Sequence, residues 1–212
     1  MELEAFIQKL IYVHAGFGGL ALCTGGIAIS VKKGSNLHKK SGKLFFYTMF
    51  TSAVLSLIIA LMPQHESPFL IGIGLFSMYF LITGLRSLSF KKPDISLKTD
   101  KILAILLIAT CLFMIVHPII VRGKLNIVLL IFGIVGILFA ISDLSDYLHP
   151  AKLRTRWLSL HLGKMTGGYI SAVSAFFVVN QILPGIWNWF VPGIVGGFYI
   201  FFSIRKITKP RE

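Results

Sequence analysis

Residues 127–166 read IVLLIFGIVGILFAISDLSDYLHPAKLRTRWLSLHLGKMT, and this stretch decides the fold. It holds an apolar run, a basic turn and the start of a second apolar run, and a helix needs about 20 apolar residues to cross a bilayer. Four residues that can carry charge lie within these runs: Asp143, Asp146, His161 and Lys164. Because a charged group in hydrocarbon costs at least about 3 kcal/mol, such residues are rare and usually mark function.

The rest of the chain repeats this alternation of apolar run and short polar turn. Of the 212 residues, 55% are hydrophobic and only 14% are charged, against roughly 25% charged in a typical soluble domain. The sequence therefore predicts an all-α fold, a polytopic membrane protein with a seven-transmembrane-helix bundle as its single domain. The predicted spans are about residues 6–31, 44–62, 68–88, 102–121, 127–148, 157–183 and 187–204.

The positive charges predict an orientation. The turns on one side carry five, five, three and four lysines or arginines, a total of 17, whereas the other side carries three. Cytoplasmic loops collect such residues, so the N-terminus is predicted outside and the C-terminus in the cytoplasm. The net charge of +13 then reflects loops that meet anionic lipid, and nucleic acid is excluded as a partner. The predicted partners are the bilayer and a lipophilic small molecule, and the oligomeric state is left open.

Three spans carry small residues at helical spacing, each together with a residue that can titrate. The stripes contain His14 in span one, Asp143 in span five and His161 in span six. Small faces let membrane helices approach closely. We therefore expect helices one, five and six to face one another with these groups turned inward.

The predicted site lies near the cytoplasmic end of spans five and six, where a short hairpin places Asp143 at about the depth of His161. Carboxylates and imidazoles are ligands of zinc and similar divalent ions. The predicted metal ligands share this chemistry: Asp143, Asp146, His161 and His38. In a membrane hydrolase, Asp143 and His161 would be metal ligands or an acid–base pair, and Lys164 would stabilise negative charge on a lipid-like substrate.

Two alternatives use the same residues. A proton-coupled transporter or carrier would use them as a relay, with histidine titrating near neutrality. A purely structural arrangement would pair Asp143 with Lys164, or Asp146 with Arg156, and only hold helices together. The zinc-protease motif HExxH is absent from the sequence.

A third alternative is a redox protein. His14 lies beside glycines in span one and His117 lies near the outer end of span four. Such a pair suits a b-type haem or a quinone site, because small residues leave room for a ring. Tyr12 and Tyr79 are expected in the same outer set. Otherwise His14 is a buried histidine bonded to a neighbouring carbonyl or hydroxyl.

Three motifs carry a resemblance that extends over most of the chain. They are residues 14–20 (HAGFGGL), residues 33–43 (KGSNLHKKSGK) and residues 161–180 (HLGKMTGGYISAVSAFFVVN). In these the chain resembles a family of predicted bacterial multi-pass membrane proteins with no assigned function, which implies the bacterial inner membrane. The span number and inward Asp and His groups also look loosely similar to membrane hydrolases related to alkaline ceramidases and adiponectin receptors, which bind zinc through three histidines. Span seven contains none of the histidines that this second pattern requires.

Overall fold

The computed structural model describes residues 2–208 as seven long helices without strands. They are α1 (Glu2–Ser30), α2 (Asn36–Ile59), α3 (Pro68–Arg86), α4 (Lys98–Arg122), α5 (Ile127–Tyr147), α6 (Pro150–Asn180) and α7 (Trp187–Thr208), with a 3-10 turn at Ser87–Ser89. All seven are long and apolar enough to cross a membrane. Large apolar side chains cover their outer surface, as at Ile120 and Val179, which are 77% and 80% exposed. The all-α bundle predicted from the sequence is confirmed.

Four helices begin earlier than the predicted spans, and the difference is largest for α2 and α6. α2 begins at Asn36, because the Ser35 hydroxyl caps it by accepting from the His38 backbone N–H at 3.2 Å. α6 begins at Pro150, a residue that suits the first turn of a helix because it has no N–H to leave unpaired. Basic residues that the sequence analysis assigned to loops therefore extend both helices at the same end of the bundle. We call this end, where α1 ends and α2 begins, the basic end.

Pro118 does not end α4. The helix continues to Arg122 and finishes at Gly123, whose φ of +62° lies in the left-handed region that glycine adopts without strain. A proline removes one backbone hydrogen bond from a helix interior. Here Pro118 lies in the last turns of α4, so the hydrogen bonds of the rest of the helix are kept.

α3 is the central helix of the bundle. It packs against α2, α4 and α6, while α1 packs on α2 and α6, α5 mainly on α4, and α7 on α6. The expectation that helices one, five and six face one another therefore holds in part: α6 meets both α1 and α5, but α1 and α5 are not packed on each other. The glycine face of α5 packs on α4 and α3, since a Cβ added at Gly136 would lie 2.4 Å from Cys111 Sγ and 2.9 Å from the Phe76 ring.

α3 and α6 approach each other closely at Gly84. A Cβ added there would lie 3.1 Å from both Lys164 Cβ and the Met165 backbone nitrogen. The absence of a side chain at Gly84 therefore lets the two backbones meet. This contact brings the polar residues of α3 beside Lys164, which positions the candidate site.

Candidate functional site

Asp143 of α5 is the centre of a buried polar cluster. Its side chain is inside the bundle, with the residue 5% exposed, and its Oδ2 atom accepts hydrogen bonds from both Lys164 Nζ and Tyr79 OH. Lys164, from α6, is 6% exposed and also donates to Thr83 Oγ1 at 3.3 Å. One carboxylate oxygen is thus shared by an ammonium and a phenol, away from water.

α3 supplies the two neutral members of this cluster. Tyr79 and Thr83 lie four residues apart and so occupy the same face of the helix. The Thr83 hydroxyl donates to the Tyr79 carbonyl at 2.6 Å, which fixes its orientation. Lys164 Nζ also lies 4.9 Å from the centroid of the Tyr79 ring, a distance at which a cation is attracted by the ring face. The lysine is therefore held by a charge, a hydroxyl and an aromatic ring.

Tyr147 lies one helical turn beyond Asp143 on α5. Within residues 2–208, its hydroxyl is the one buried side-chain polar atom that has no hydrogen-bond partner. The residue is 2% exposed and its ring packs edge-on against Phe90 at 6.0 Å. Its hydroxyl neighbours the hydroxyl of Tyr79 and the carboxylate of Asp143.

A second ion pair, which the sequence analysis did not predict, joins α3 to α4. Arg86 donates to Asp100 through two bonds, Nε to Oδ1 at 2.7 Å and Nη2 to Oδ2 at 2.6 Å. Asp100 is fully buried, whereas the Arg86 side chain is 31% exposed. A signal was available: Asp100 is an acidic residue among lysines at the start of an apolar run, and such a residue needs a cation.

A third pair joins the α5–α6 hairpin. Arg156 Nη1 lies 2.5 Å from both oxygens of Asp146, and Lys152 Nζ lies 3.3 Å from Oδ1. Both ion pairs named in the structural alternative, Asp143 with Lys164 and Asp146 with Arg156, are therefore present. These two pairs give a cationic partner to each of the carboxylates that lie within the apolar run of span five.

The four predicted metal ligands are not brought together. The two aspartates are bonded to cations, His161 Nδ1 donates to the Gly84 carbonyl at 2.8 Å, and His38 Nδ1 donates to the Ala28 carbonyl at 3.0 Å. In the described part of the chain, no three His, Cys, Asp or Glu side chains lie close enough together to hold a metal ion. The physical reason is that each carboxylate finds a lysine or arginine nearer than it finds an imidazole.

His38 and His161 do lie at the same depth. Phe45 of α2 packs on α6 at Gly168, 3.9 Å from the position of an added Cβ. Each histidine lies seven residues, or about two turns, before these contact residues on two parallel helices. Both are thus near the basic end, and neither is bonded to Asp143.

The proposed haem pair is also separated. His14 Nδ1 lies 2.9 Å from the Ser52 carbonyl and 3.0 Å from the Ser52 hydroxyl, between α1 and α2. His117 lies on the outer surface of α4, with its ring 4.9 Å from that of Phe113. The two helices pack on different neighbours. Tyr79, which was expected beside His14 and His117, instead bonds Asp143.

Comparison of the chain with protein-family models, curated proteins and solved structures found no match.

Proposed function

We propose that this protein is a proton-coupled carrier of a bacterial inner membrane, and that the Asp143–Lys164 pair is its proton-binding site. The observation that carries the proposal is the sharing of Asp143 Oδ2 by Lys164 Nζ and Tyr79 OH in a buried position. Intramembrane ionisable groups of this kind commonly mark proton relays and substrate pathways.

The pair links proton binding to a change of structure. When Asp143 takes up a proton, its negative charge disappears and Lys164 is left without a counter-ion. An uncompensated buried cation is strongly unfavourable, so Lys164 keeps its proton only by moving towards water. This movement alters the contact between α3 and α6 at Gly84, where Lys164 Cβ lies against the backbone. A carrier needs this kind of coupling between proton occupancy and helix packing.

The proposed substrate is a lipophilic small molecule that enters from the bilayer. The apolar outer surface of the helices supports this route, since a molecule dissolved in lipid meets no polar barrier there. The orientation is proposed with the N-terminus outside and the C-terminus cytoplasmic, in line with the excess of lysine and arginine at the basic end. A cysteine placed at Lys40 should react with an impermeant thiol reagent only from the cytoplasmic side, and one placed at Glu66 only from outside. Labelling of each cysteine from the opposite side would place the N-terminus in the cytoplasm, and the basic end would then exchange protons with the outside.

The carrier proposal is tested in vesicles that hold a proton gradient reported by a pH-sensitive dye. A panel of lipophilic amines and lipophilic weak acids is added to vesicles containing the protein and, for reference, to empty ones. At least one compound should dissipate the gradient faster with the wild-type protein, and Asp143→Asn should abolish the difference. Asp94→Asn, a change in the exposed α3–α4 loop, is the matched control and should behave as wild type.

Two results would refute the carrier proposal. One is a gradient that collapses equally fast with Asp143→Asn and with the wild type. The other is a full panel that leaves the gradient of wild-type vesicles no different from that of empty vesicles. Folding of each variant is checked by its thermal unfolding in detergent, so that loss of activity is not confused with loss of structure.

A further inference from the structure

The Tyr147 hydroxyl is buried at an energetic disadvantage. A buried donor without a partner costs about 1–3 kcal/mol, and phenylalanine would fill the same space and keep the edge-on contact with Phe90. Within residues 2–208, the oxygen therefore makes no hydrogen bond of good geometry that the fold would lose. Its position beside Tyr79 and Asp143 points to a use of the hydroxyl itself.

The position of Tyr147 lies between the proton-binding site and the basic end of the bundle. It is four residues beyond Asp143, which corresponds to about 6 Å along the helix axis. Arg86 and Asp100 are its next charged neighbours in that direction, and the Arg86 side chain, being 31% exposed, reaches solvent. A charged pair that reaches solvent thus lies on the side of Tyr147 that faces the basic end.

We propose that Tyr147 is the relay through which Asp143 exchanges its proton with the basic end of the protein, by way of the Tyr79 hydroxyl. The inference rests on the proposed function, because it concerns the route to the same proton-binding site. Tyr147 is 2% exposed and makes no hydrogen bond to Lys164, so a purely structural ion pair would not need its hydroxyl.

The proton balance of the relay is simple. A proton from the solvent-facing end binds the Tyr147 oxygen, and the proton already on Tyr147 passes to the Tyr79 oxygen. The original Tyr79 proton then passes to Asp143 Oδ2. Each tyrosine gains one proton and loses one, so both remain neutral, and only Asp143 changes charge. Rotation of the two hydroxyls restores the starting arrangement, and release of the proton follows the same steps in reverse.

The test separates the rate of proton exchange from its equilibrium. Infrared difference spectra of the reconstituted protein are recorded after a rapid pH jump, and the protonated-carboxyl band that Asp143→Asn removes is followed in time. Tyr147→Phe should slow the appearance of this band by at least about tenfold, since a positioned proton-transfer group is typically worth 10²–10⁴-fold. The final amplitude of the band should stay unchanged, because Tyr147 makes no hydrogen bond to Asp143.

Tyr12→Phe is the matched control, because Tyr12 is an exposed tyrosine on α1 and its hydroxyl lies outside the polar cluster. It should leave the rate unaltered. If Tyr147→Phe exchanges protons as fast as the wild type, the relay is refuted while the proton-binding site stands. If no Asp143 band appears at any pH in the folded wild-type protein, the proposed function fails and the relay with it.

Discussion

Removal of the Lys164 charge should destabilise the protein far more than removal of the whole ion pair. Lys164→Met keeps the length of the side chain but leaves Asp143 with Tyr79 as its only partner. It also loses the 3.3 Å bond to Thr83 and the contact with the Tyr79 ring at 4.9 Å. Breaking a buried pair by removing one partner typically costs about 3–5 kcal/mol, because an uncompensated charge stays inside. We expect a loss of that size at neutral pH.

The double variant Asp143→Asn, Lys164→Met should recover most of this loss. The asparagine carbonyl can still accept the Tyr79 hydroxyl bond, and neither buried charge remains. Replacement of a buried pair by neutral groups is often close to neutral in free energy, so we expect a net cost of about 1 kcal/mol. The coupling energy between the two sites should then exceed roughly 2 kcal/mol, which is within the range measured for residues in direct contact.

The assay is reversible unfolding of the purified protein in mixed micelles with increasing denaturing detergent, for the wild type, both single variants and the double variant. The charged-pair model is refuted if Lys164→Met costs less than about 1 kcal/mol, or if the two single losses simply add in the double variant. A stable double variant that has also lost proton-coupled activity would separate the stabilising role of the pair from its functional one.

Three further variants test the packing and the other ion pairs, each by the same unfolding measurement. Gly84→Ala should lower the free energy of unfolding by about 1–3 kcal/mol, because the new Cβ overpacks the α3–α6 contact. Gly19→Ala is the control and should be close to neutral, because an added Cβ there meets no atom within 4 Å. Equal losses in the two variants would contradict the close approach of α3 and α6 at Gly84. Arg86→Gln should cost about 3 kcal/mol, because Asp100 is fully buried, and a loss below about 1 kcal/mol would show that Asp100 has another partner. Asp146→Asn should cost only about 1 kcal/mol, because water can solvate the exposed side chains of Lys152 and Arg156 once the carboxylate is gone. A loss as large as that of Arg86→Gln would contradict this weak contribution of the Asp146 pair.

The sequence predicted the position of a residue along the bundle axis better than it predicted which helices lie side by side. Counting residues from the ends of the spans placed Asp143 close to the level of the first turns of α6, and its pairing with Lys164 was among the alternatives. Hydropathy and charge vary along a helix axis, so they report how far a residue lies from the surface. They say little about which helix lies beside which other helix.

The errors follow from this difference. Tyr79 was expected near His14, whereas it bonds Asp143, because α3 enters the centre of the bundle through the contact at Gly84. The Arg86–Asp100 pair was missed for a related reason. Arg86 was counted as one of many loop cations, and only the packing of α3 on α4 shows that it has a buried partner.

The pattern of satisfied and unsatisfied groups favours one centre over the others as the place of function. A bundle that needs charges only to hold its helices together is expected to satisfy every buried polar group, because each unpaired one costs free energy. The Arg86–Asp100 and Asp146–Arg156 pairs meet this expectation, with two bonds each and an arginine at the surface. The centre at Asp143 does not, since the Tyr147 hydroxyl beside it has no partner. The unpaired Tyr147 hydroxyl thus lies beside Asp143 and Lys164, the one ion pair of the three in which both side chains are buried. An unpaired polar group is most costly in such a place, which a purely structural role does not explain.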